Sequence, residues 1–347
     1  MPSGLCSDLC DLSEGERWCV LQTNELQLIK QIKEWTGSRF IGDDCAVLPG
    51  GTLVSSDSLV EGTHFRLDWT SLEALGWKAC AVNLSDIAAM AGRATYLTVS
   101  LTVPKSMDER AFKQFYTGFA KCASSYRAQI VGGDLTSGPV LVIAVTALGR
   151  VHENGCLRRS GAKPGDVVVA TGDFGASAAG LWILQQGSAR PDLRRFEYCL
   201  ERHTRPLPRL CESWALVRKT AERGALMDTS DGLADAATQI ARASDVAIEL
   251  DLESVHVHPQ TREVAALTKA DVSEWVLYGG EDYELVGTMD AQTWQSWSDK
   301  DSNPSASSNP FHKIGTVTTG NDVTVKLPGR GKQAIDLSKC FQQIGQT

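Results

Sequence analysis

Seven aspartates in this chain lie at or next to the ends of short apolar segments, and most of them stand beside glycine, serine or threonine. Carboxylates are costly to hold near an apolar core unless a cation meets them. Carboxylate and hydroxyl oxygens suit Mg²⁺, which takes one or two protein carboxylates together with phosphate oxygens. Acids from so many segments therefore predict several magnesium ions that share one polyphosphate. The seven residues are Asp43, Asp44, Asp57, Asp86, Asp134, Asp228 and Asp231.

A purely structural role is the alternative for each of these motifs. Asp and Ser before Gly commonly cap helices or form turns, so in "TSDGLADAA" Ser230 or Asp231 could cap the helix that follows. Asp86 resists that interpretation, because it lies inside the apolar small-residue segment "AVNLSDIAAMAG", one helical turn from Asn83. A lone carboxylate there is destabilising without a partner, which favours a functional role.

Two glycine-containing segments are further candidates for ligand-binding loops. In "LYGGEDYELV" a hairpin turn would account for Glu281 and Asp282, but paired glycines also let a ligand approach the backbone closely. "TGDFGAS" follows a strand, yet it matches neither the dinucleotide-binding nor the P-loop spacing, so we interpret it as a strand-to-helix turn. His256 and His258 of "HVHP" have no third ligand nearby in the sequence and are expected at the surface.

The elements that must position these residues follow an interleaved α/β order. Up to about residue 150 we expect helices in "NELQLIKQIKEW", "SLEALGWKACAVNLSDIAAMAG" and "MDERAFKQFYTGFAKCASSY". Strands are expected in "CAVL", "TLVSSDSLV", "ATYLTVSLTVP", "AQIVGGD" and "PVLVIAVTALGRV". A second unit begins near "RRSGAKPGDVVV", with further strands in "VAIELDL", "VLYGGEDYELVGTM" and "HKIGTVTTG".

Composition narrows the class of protein. A chain of 347 residues is long enough for about two domains of roughly 150 residues each. The net charge of -8 argues against a general nucleic-acid-binding surface. No apolar run approaches the roughly 18 residues of a membrane span, and the N-terminus lacks the pattern of an export signal. The 10 scattered cysteines are expected to be reduced thiols in a cytoplasmic protein. Cys6 and Cys10 have no second closely spaced pair that would complete a metal site.

Seven motifs occur in the order typical of the thiamine-monophosphate kinase family, and the resemblance covers about Asn24 to Thr318. That family belongs with aminoimidazole ribonucleotide synthetase and selenophosphate synthetase in one ATP-binding superfamily. "VNLSDIAAM" is common across the superfamily, whereas "GGEDYEL" and "LVEGTHF" are more specific to the thiamine-phosphate branch. The motifs are "GDDCAV", "SSDSLVEGTHF", "KACAVNLSDIAAMAG", "VGGDLTSGP", "RSGAKPGD", "DTSDGLADA" and "GGEDYEL".

The resemblance implies a two-domain α/β (α+β) fold, the ATP-binding fold of the aminoimidazole ribonucleotide synthetase type. The N-terminal domains of such proteins pair their strands into a dimer barrel, so a homodimer is expected. The element pattern along the chain gives the divisions: an irregular extension over 1–22, which the family usually lacks, a domain over 23–150 and an α/β domain over 151–347. The resemblance implies that the domain over 23–150 binds ATP and Mg²⁺ and dimerises. No nucleic acid and no membrane is expected as a partner.

The same resemblance implies direct transfer of the ATP γ-phosphoryl group to thiamine monophosphate, which yields thiamine diphosphate and ADP. ATP is then a co-substrate and several Mg²⁺ ions are cofactors. The acceptor is a phosphate, whose second pKa is near 6, so it is already a nucleophile at neutral pH. Such a site needs positioning and charge neutralisation more than a general base.

Site residues are implied position by position. The catalytic positions are Asp231, Asp57 and Arg159. The ATP contacts are Gly133, Asp134, Arg159 and Ser230. The substrate contacts are His64 and Glu281, with Phe341 as a candidate for the aromatic residue that covers the substrate rings in the family. The metal ligands are Asp44, Ser55, Ser56, Asp57, Asp86, Asp134, Asp228 and Asp231.

This chain departs from the family pattern in places. The family usually has threonine where Ser55 and Ser56 stand, but the hydroxyl is kept. Two alternatives stay open: a sister enzyme that uses ATP on formylglycinamidine ribonucleotide or on selenide, and a dimeric nucleotide-binding protein without catalysis. A reactive cysteine in a glycine-rich N-terminal loop would favour selenide chemistry, and the surroundings of Cys6 and Cys10 lack that pattern. The acids are present at every motif, which argues against a protein that has lost catalytic activity.

Overall fold

The computed structural model separates the chain into two compact units. One consists of residues 1–39 together with 342–347, and the other of residues 40–341. In the first unit the expected helix α1 (Glu25–Thr36) is confirmed, and none of its residues is buried. Every residue of the predicted site lies in the second unit. The structure describes residues 25–189, 191–299 and 309–341.

The first half of the larger unit is a five-stranded sheet covered by two helices. The strand order is β1-β2-β5-β3-β4, in which β3 and β4 run parallel and the other neighbours are antiparallel. All the elements expected from the sequence up to about residue 150 are present. They are β1 (Ala46–Leu48), β2 (Thr52–Val60), α2 (Leu72–Ala89), β3 (Arg93–Val103), α3 (Glu109–Ser125), β4 (Gln129–Ser137) and β5 (Val142–Arg150).

The second half is a seven-stranded sheet with the order β12-β11-β8-β10-β6-β9-β7. Among the described strands of this sheet, β8 and β11 run parallel and the other neighbours are antiparallel. The strands are β6 (Asp166–Thr171), β7 (Leu226–Asp228), β8 (Ala247–Asp251), β9 (Leu285–Asp290), β10 (Phe311–Thr318), β11 (Val323–Leu327) and β12 (Gly331–Ala334). The helices are α4 (Ala176–Gln186), α5 (Glu197–Thr204), α6 (Leu210–Thr220), α7 (Leu233–Ser244), α8 (Pro259–Thr268), α9 (Val272–Tyr278) and α10 (Ala291–Ser298).

Helix α2 is buried nearly all round, which explains its small side chains. It packs against α3, β2 and β5 and also contacts α6 and β7. A side chain at Gly76 would place its Cβ 2.0 Å from the carbonyl oxygen of Phe115 in α3, so the two helices approach through glycine. A helix that is apolar on every side belongs inside a core, and any charged residue on it needs a partner.

Strand β6 joins the two halves of the apolar core. Val167 and Val169 pack into the core that contains α2 and the five-stranded sheet, whereas Val168 and Ala170 pack into the core of the C-terminal sheet. A strand buried on both faces reads as a continuous apolar run, as "DVVVAT" does. The two sheets separate between residues 150 and 166, and the domain boundary at 150 stays a prediction.

The strand expected at the start of "VLYGGEDYELVGTM" is wrong. Residues "VLY" end helix α9, and only the later residues form β9. Asp271 caps α9 by accepting a hydrogen bond from the backbone N–H of Ser273 at 2.9 Å. A short apolar run has no periodicity that separates a strand from a buried helix, which is the physical reason for the error.

Two further features bear on the class of protein. Among the described residues, no helix combines the length and the apolar character that a bilayer crossing requires. The described cysteines are free thiols, most of them buried. Cys6 and Cys10 lie outside the described residues.

Candidate active site

Four carboxylates from four separate segments form what we call the acid cluster. One oxygen each of Asp44, Asp86 and Asp228 lies within 4.8 Å of the others, an arrangement that could hold a metal ion. Asp57 is the fourth member, since its charge acts on both Asp86 and Asp228. Asp44 comes from the loop before β1, Asp57 from β2, Asp86 from α2 and Asp228 from the end of β7.

Burial and mutual repulsion disfavour the charged form of these groups. Burial, assisted by the charge of Asp44, raises the pKa of Asp57 to about 6. The same two causes raise the pKa of Asp228 to about 8, although the Ser85 hydroxyl donates a hydrogen bond to its Oδ2 at 2.5 Å. Burial and the Asp57 charge raise the pKa of Asp86 well above its ordinary range. A cation in the cluster would reverse these shifts.

Arg159 brings one positive charge to the edge of the acid cluster. Its Nη2 lies 2.7 Å from Oδ1 of Asp44 and its Nε 3.4 Å from Oδ2, which is a fork-like contact. Burial, the largest single cause, lowers the pKa of Arg159, but Asp44, Asp228 and Asp86 together outweigh it and raise the pKa, so the guanidinium stays charged. Gln239 accepts a hydrogen bond from Nη1 and fixes the other side of the fork. No ion pair to Asp57, Asp86 or Asp228 occurs within the described residues.

The donor atoms at the acid cluster fit a hard divalent cation. Ser55 Oγ is buried, makes no hydrogen bond of normal geometry within the described chain, and lies close enough to Asp86 to lower its pKa. Asn83 fixes the neighbouring strand, because its Oδ1 accepts from the backbone N–H of Asp57 at 3.0 Å. Carboxylate and hydroxyl oxygens at these separations are the ligand set that Mg²⁺ prefers.

Other predicted ligands lie away from this cluster. The Ser56 hydroxyl donates to the carbonyl oxygen of Val145 at 3.0 Å, on the opposite face of β2 from Ser55 and Asp57. Gly133 and Asp134 lie on β4, the exposed edge strand of the five-stranded sheet. The roles assigned to Ser56, Gly133 and Asp134 therefore stay predictions.

The loop "DTSDG" carries Ser230 and Asp231 between β7 and α7. The N-cap residue of α7 is Gly232, which has no side chain, so neither Ser230 nor Asp231 is the N-cap residue that the structural alternative requires. Ser230 Oγ donates to Asp231 Oδ2 at 3.3 Å. The Ser230 carbonyl accepts from the backbone N–H of Glu281 at 2.6 Å, which joins this loop to "GGEDYEL".

We call residues 279–284 the anchored loop, because its three carboxylates are each held by a different part of the protein. The loop follows helix α9, so the hairpin interpretation is wrong. Lys78 Nζ lies 2.8 Å from Glu281 Oε1, and His203 Nδ1 lies 3.2 Å from Oε2. Burial would raise the pKa of Glu281, but Lys78 and His203 outweigh burial and the pKa is lowered.

Asp282 anchors the loop to helix α4. It accepts hydrogen bonds from the backbone N–H groups of Gly175, at 2.8 Å, and Ser177, at 3.1 Å. These are N–H groups that the first turn of a helix leaves without an intrahelical partner. The interpretation of "TGDFGAS" as a strand-to-helix turn is confirmed, with Gly175 at φ 79° as the N-cap residue.

Glu284 anchors the loop to helices α5 and α6. Its carboxylate accepts a hydrogen bond from the Arg202 guanidinium at 3.1 Å. It also accepts two hydrogen bonds from the Arg209 guanidinium, at 2.5 and 2.7 Å. Thr171 Oγ1 at the end of β6 donates to the same carboxylate at 2.6 Å. The Glu284 side chain is 1% exposed, so this is a buried and fully partnered charge.

The three predicted substrate contacts lie in one neighbourhood. His64 is near enough to Glu281 to lower its pKa, and the rings of His64 and Phe341 meet edge to face at 6.4 Å between centroids. The His64 imidazole accepts from the backbone N–H of Val60 through Nδ1 at 3.0 Å. As expected for "HVHP", His256 is exposed, while His258 is half-buried and accepts from the N–H of Gln260 at the start of α8.

The sequence analysis missed the basic partners of the anchored loop. Lys78, His203, Arg202 and Arg209 come from three different helices, and nothing in their local sequence points to a shared target. Lys78 alone carried a usable signal, because it lies in the same apolar small-residue segment that made Asp86 conspicuous. The buried ammonium of Lys78 needs a partner in that segment as much as the carboxylate of Asp86 does.

Comparison with known proteins agrees with the motif order. Residues 42–151 match the family described as "AIR synthase related protein, N-terminal domain". The fold and the acid cluster thus define an α/β protein of the AIR-synthase-related class. The thiamine-monophosphate kinase of Bacillus subtilis (strain 168) is 39% identical over 261 residues, covering 74% of this chain and 78% of that protein. The thiamine-monophosphate kinase of Synechococcus elongatus is 41% identical over 254 residues, covering 71% and 75%.

A solved structure extends the likeness across both sheets. AaThiL complexed with AMPPCP and TMP superposes with a TM-score of 0.80 at 29% identity, covering 93% of this chain and 100% of that chain. This chain belongs to the thiamine-monophosphate kinase family. The resemblance drawn from the seven ordered motifs is confirmed.

Proposed function

We propose that this protein is a kinase that transfers the γ-phosphoryl group of ATP directly to thiamine monophosphate. The products are thiamine diphosphate and ADP, and the reaction belongs to thiamine diphosphate biosynthesis. Family membership supports the activity, and so does the solved relative that holds AMPPCP, an analogue of ATP, together with TMP. The observation that carries the proposal is the acid cluster, in which oxygens of three of the four carboxylates lie within 4.8 Å of one another, an arrangement that could hold the cations of polyphosphate chemistry.

Asp44, Asp86 and Asp228 hold Mg²⁺ in this proposal, and Asp57 and the Ser55 hydroxyl complete the ligand set. Bound Mg²⁺ would supply the charge neutralisation that lets the triphosphate and the acceptor phosphate approach in line. The protein's own part is positioning. Arg159 holds Asp44 from outside the cluster at 2.7 Å and presents a fixed positive fork beside it.

The acceptor binds beside the anchored loop, in contact with His64 and Glu281 and beneath the ring of Phe341. Its phosphate is already dianionic in large part at neutral pH, since the second pKa of a phosphate monoester is about 6. A general base is therefore not needed, and alignment of the two phosphates determines the rate. ATP contacts at Gly133, Asp134 and Ser230, and a catalytic metal position at Asp231, complete the proposed site by family correspondence.

We also propose that the protein is a homodimer paired through its N-terminal sheet. Among the described strands, β4 is an edge that pairs on one side, and the apolar side chains of Val131 and Leu135 are 55% and 62% exposed there. An exposed apolar edge strand is a template for pairing with another strand. A cytoplasmic location, expected from the cysteine content, stays part of the proposal.

Incubation of the purified protein with ATP, Mg²⁺ and thiamine monophosphate tests the activity. Thiamine diphosphate and ADP should appear in equal amounts, measured by chromatography. Formylglycinamidine ribonucleotide and selenide serve as alternative acceptors for the sister enzymes. ATP hydrolysis alone, or turnover only with one of the alternative acceptors, would overturn the proposal.

A further inference from the structure

Lys78 is an unusual residue for its position. It lies on α2, a helix buried on nearly every side, and its side chain is 4% exposed. Lysine is almost never fully buried unless its ammonium is paired, because desolvation of that charge is costly. The partner here is Glu281, whose Oε1 lies 2.8 Å from Nζ. Helix α2 therefore carries the metal-binding Asp86 towards one end and a cation for the anchored loop towards the other.

His203 approaches the same carboxylate from helix α5. Its Nδ1 lies 3.2 Å from Glu281 Oε2 and 3.1 Å from the Ser177 hydroxyl, and the ring is buried. Burial and the nearby Lys78 charge lower the pKa of His203 to about 3, so the imidazole is neutral. Nδ1 therefore lies between the Ser177 hydroxyl, with which it makes a hydrogen bond, and Oε2 of Glu281, so the neutral ring packs against the carboxylate without adding a second positive charge.

Glu281 itself is held in a strained backbone conformation. Its φ is 56°, which non-glycine residues rarely adopt, and such strain persists where the surroundings determine it. An ionised carboxylate offers about four acceptor positions on its two oxygens. Lys78 Nζ meets one oxygen at 2.8 Å and the His203 ring lies 3.2 Å from the other, so the two side chains restrict the plane of the group and leave acceptor capacity on it.

We propose that Lys78 and His203 are positioning residues for the acceptor site, which orient the Glu281 carboxylate towards the substrate from opposite sides. Because Lys78 offsets the charge of Glu281, the carboxylate acts as an oriented hydrogen-bond acceptor with little net charge. The inference rests on the proposed function, in which Glu281 contacts thiamine monophosphate. It assigns no contact with ATP to either residue.

The test is a double-mutant cycle that is measured separately for the two substrates. Lys78→Met keeps the length of the side chain and removes the charge, and Lys121→Met on the exposed surface of α3 is the matched control. Lys78→Met should raise KM for thiamine monophosphate about tenfold or more. KM for ATP should change by less than about twofold, and the control should match the wild type on both substrates.

Coupling to Glu281 separates positioning from a general structural role. In a Glu281→Gln background, Lys78→Met should raise the acceptor KM by less than about twofold, since the group it positions is already lost. Full additivity, or an equal rise in KM for ATP, would overturn the inference. If Lys78→Met does not fold, two variants of His203 test the inference instead. His203→Leu should raise the acceptor KM. His203→Asn, which keeps a donor near Nδ1, should restore it. Equal KM values for these two variants would also overturn the inference.

Failure of the proposed function has a different signature. A wild-type protein that does not phosphorylate thiamine monophosphate removes the proposed function before any variant is measured. A wild-type protein that does so, with Lys78 and His203 variants unchanged in acceptor KM, removes this inference and leaves the proposed function intact.

Discussion

The acid cluster and the anchored loop are built from the same chemical groups and behave in opposite ways. In the cluster, carboxylates from four segments face one another, and the pKa values of Asp57 and Asp228 are raised. In the anchored loop, Glu281 and Glu284 each meet cationic side chains within 3.1 Å. Within the described residues, Arg159 pairs with one carboxylate of the cluster, whereas both glutamates of the loop are paired with cationic side chains of the same chain.

The difference separates carboxylates that are neutralised by side chains of the fold from carboxylates that crowd together. A buried carboxylate with its own arginine or lysine stabilises one conformation of the chain, and it is costly to disturb. Carboxylates that crowd together without enough cations destabilise the fold. They are found where the binding of a ligand offsets that loss of free energy. Asp282 lies between the two cases, because two N–H groups partner it while burial still raises its pKa to about 7.

The largest expected effect is on activity, from removing one charge of the acid cluster. Asp57→Asn and Asp86→Asn keep the shape of the side chain and lose a negative ligand. Activity should fall by about two orders of magnitude or more, and the Mg²⁺ concentration needed for half activity should rise. Thermal unfolding without ligand should be unchanged or shifted upward, because the mutual repulsion is relieved.

Asp68→Asn is the matched control for this substitution, since Asp68 forms an exposed ion pair with Arg66. It should leave activity and its Mg²⁺ dependence as in the wild type. If both cluster variants lose stability while their Mg²⁺ profile stays unchanged, these aspartates are structural and the comparison drawn here is wrong.

Glu284→Gln should show the opposite pattern, with a large loss of stability. The change leaves Arg202 and Arg209 buried without the charge that holds them, and breaking such a pair costs about 3–5 kcal/mol. Urea unfolding in the absence of ligand measures the loss. Glu249→Gln, which disturbs an exposed pair with Lys332, is the control and should cost about 1 kcal/mol or less. Equal losses for the two variants would contradict the role given to the anchored loop.

The pH dependence of stability should include a contribution from the acid cluster when metal is absent. Asp57 and Asp228 have pKa values raised from 3.8 to about 6 and about 8 in the folded state. Their contribution to stability is therefore fully present below pH 3.8 and is lost as the pH rises through about 6 and then about 8. Added Mg²⁺ binds the deprotonated groups, so its stabilising effect should grow over the same range.

Urea unfolding at several pH values in chelator, with and without excess Mg²⁺, measures this behaviour. Asp228→Asn should make the decline between about pH 6 and 8 shallower. If the unfolding free energy of the wild type and of Asp228→Asn declines with pH at the same slope, Asp228 does not titrate with the raised pKa that burial and the neighbouring carboxylates produce.

The smallest expected effect concerns the aromatic ring at the acceptor side. Phe341 is 44% exposed and meets His64 edge to face, so Phe341→Leu should leave stability nearly unchanged. An aromatic contact of this kind corresponds to a rise of about twofold to tenfold in KM for thiamine monophosphate. KM for ATP is the internal control. A change in KM for ATP alone would place Phe341 on the metal side of the site.

Much of the site could be predicted from sequence because its signals are local. Asp86 was conspicuous because a charge stood in an apolar helical segment, and "TGDFGAS" was interpreted correctly from its glycine spacing. The hydroxyl of Ser56 shows the limit of this reasoning. Strand alternation puts Ser55 and Ser56 on opposite faces of β2, and motif correspondence alone does not register that difference.

The sequence by itself determined the helices and strands up to residue 150, the buried character of α2 and the identity of the acids. Local periodicity and the cost of burying charge are properties of short segments, so they can be read along the chain. Only the tertiary structure decided that Asp44, Asp86 and Asp228 converge within 4.8 Å. It also decided that Lys78 meets Glu281, about two hundred residues away, and that "VLY" is helical. Partners distant in sequence are chosen by packing of whole elements, which no local pattern contains.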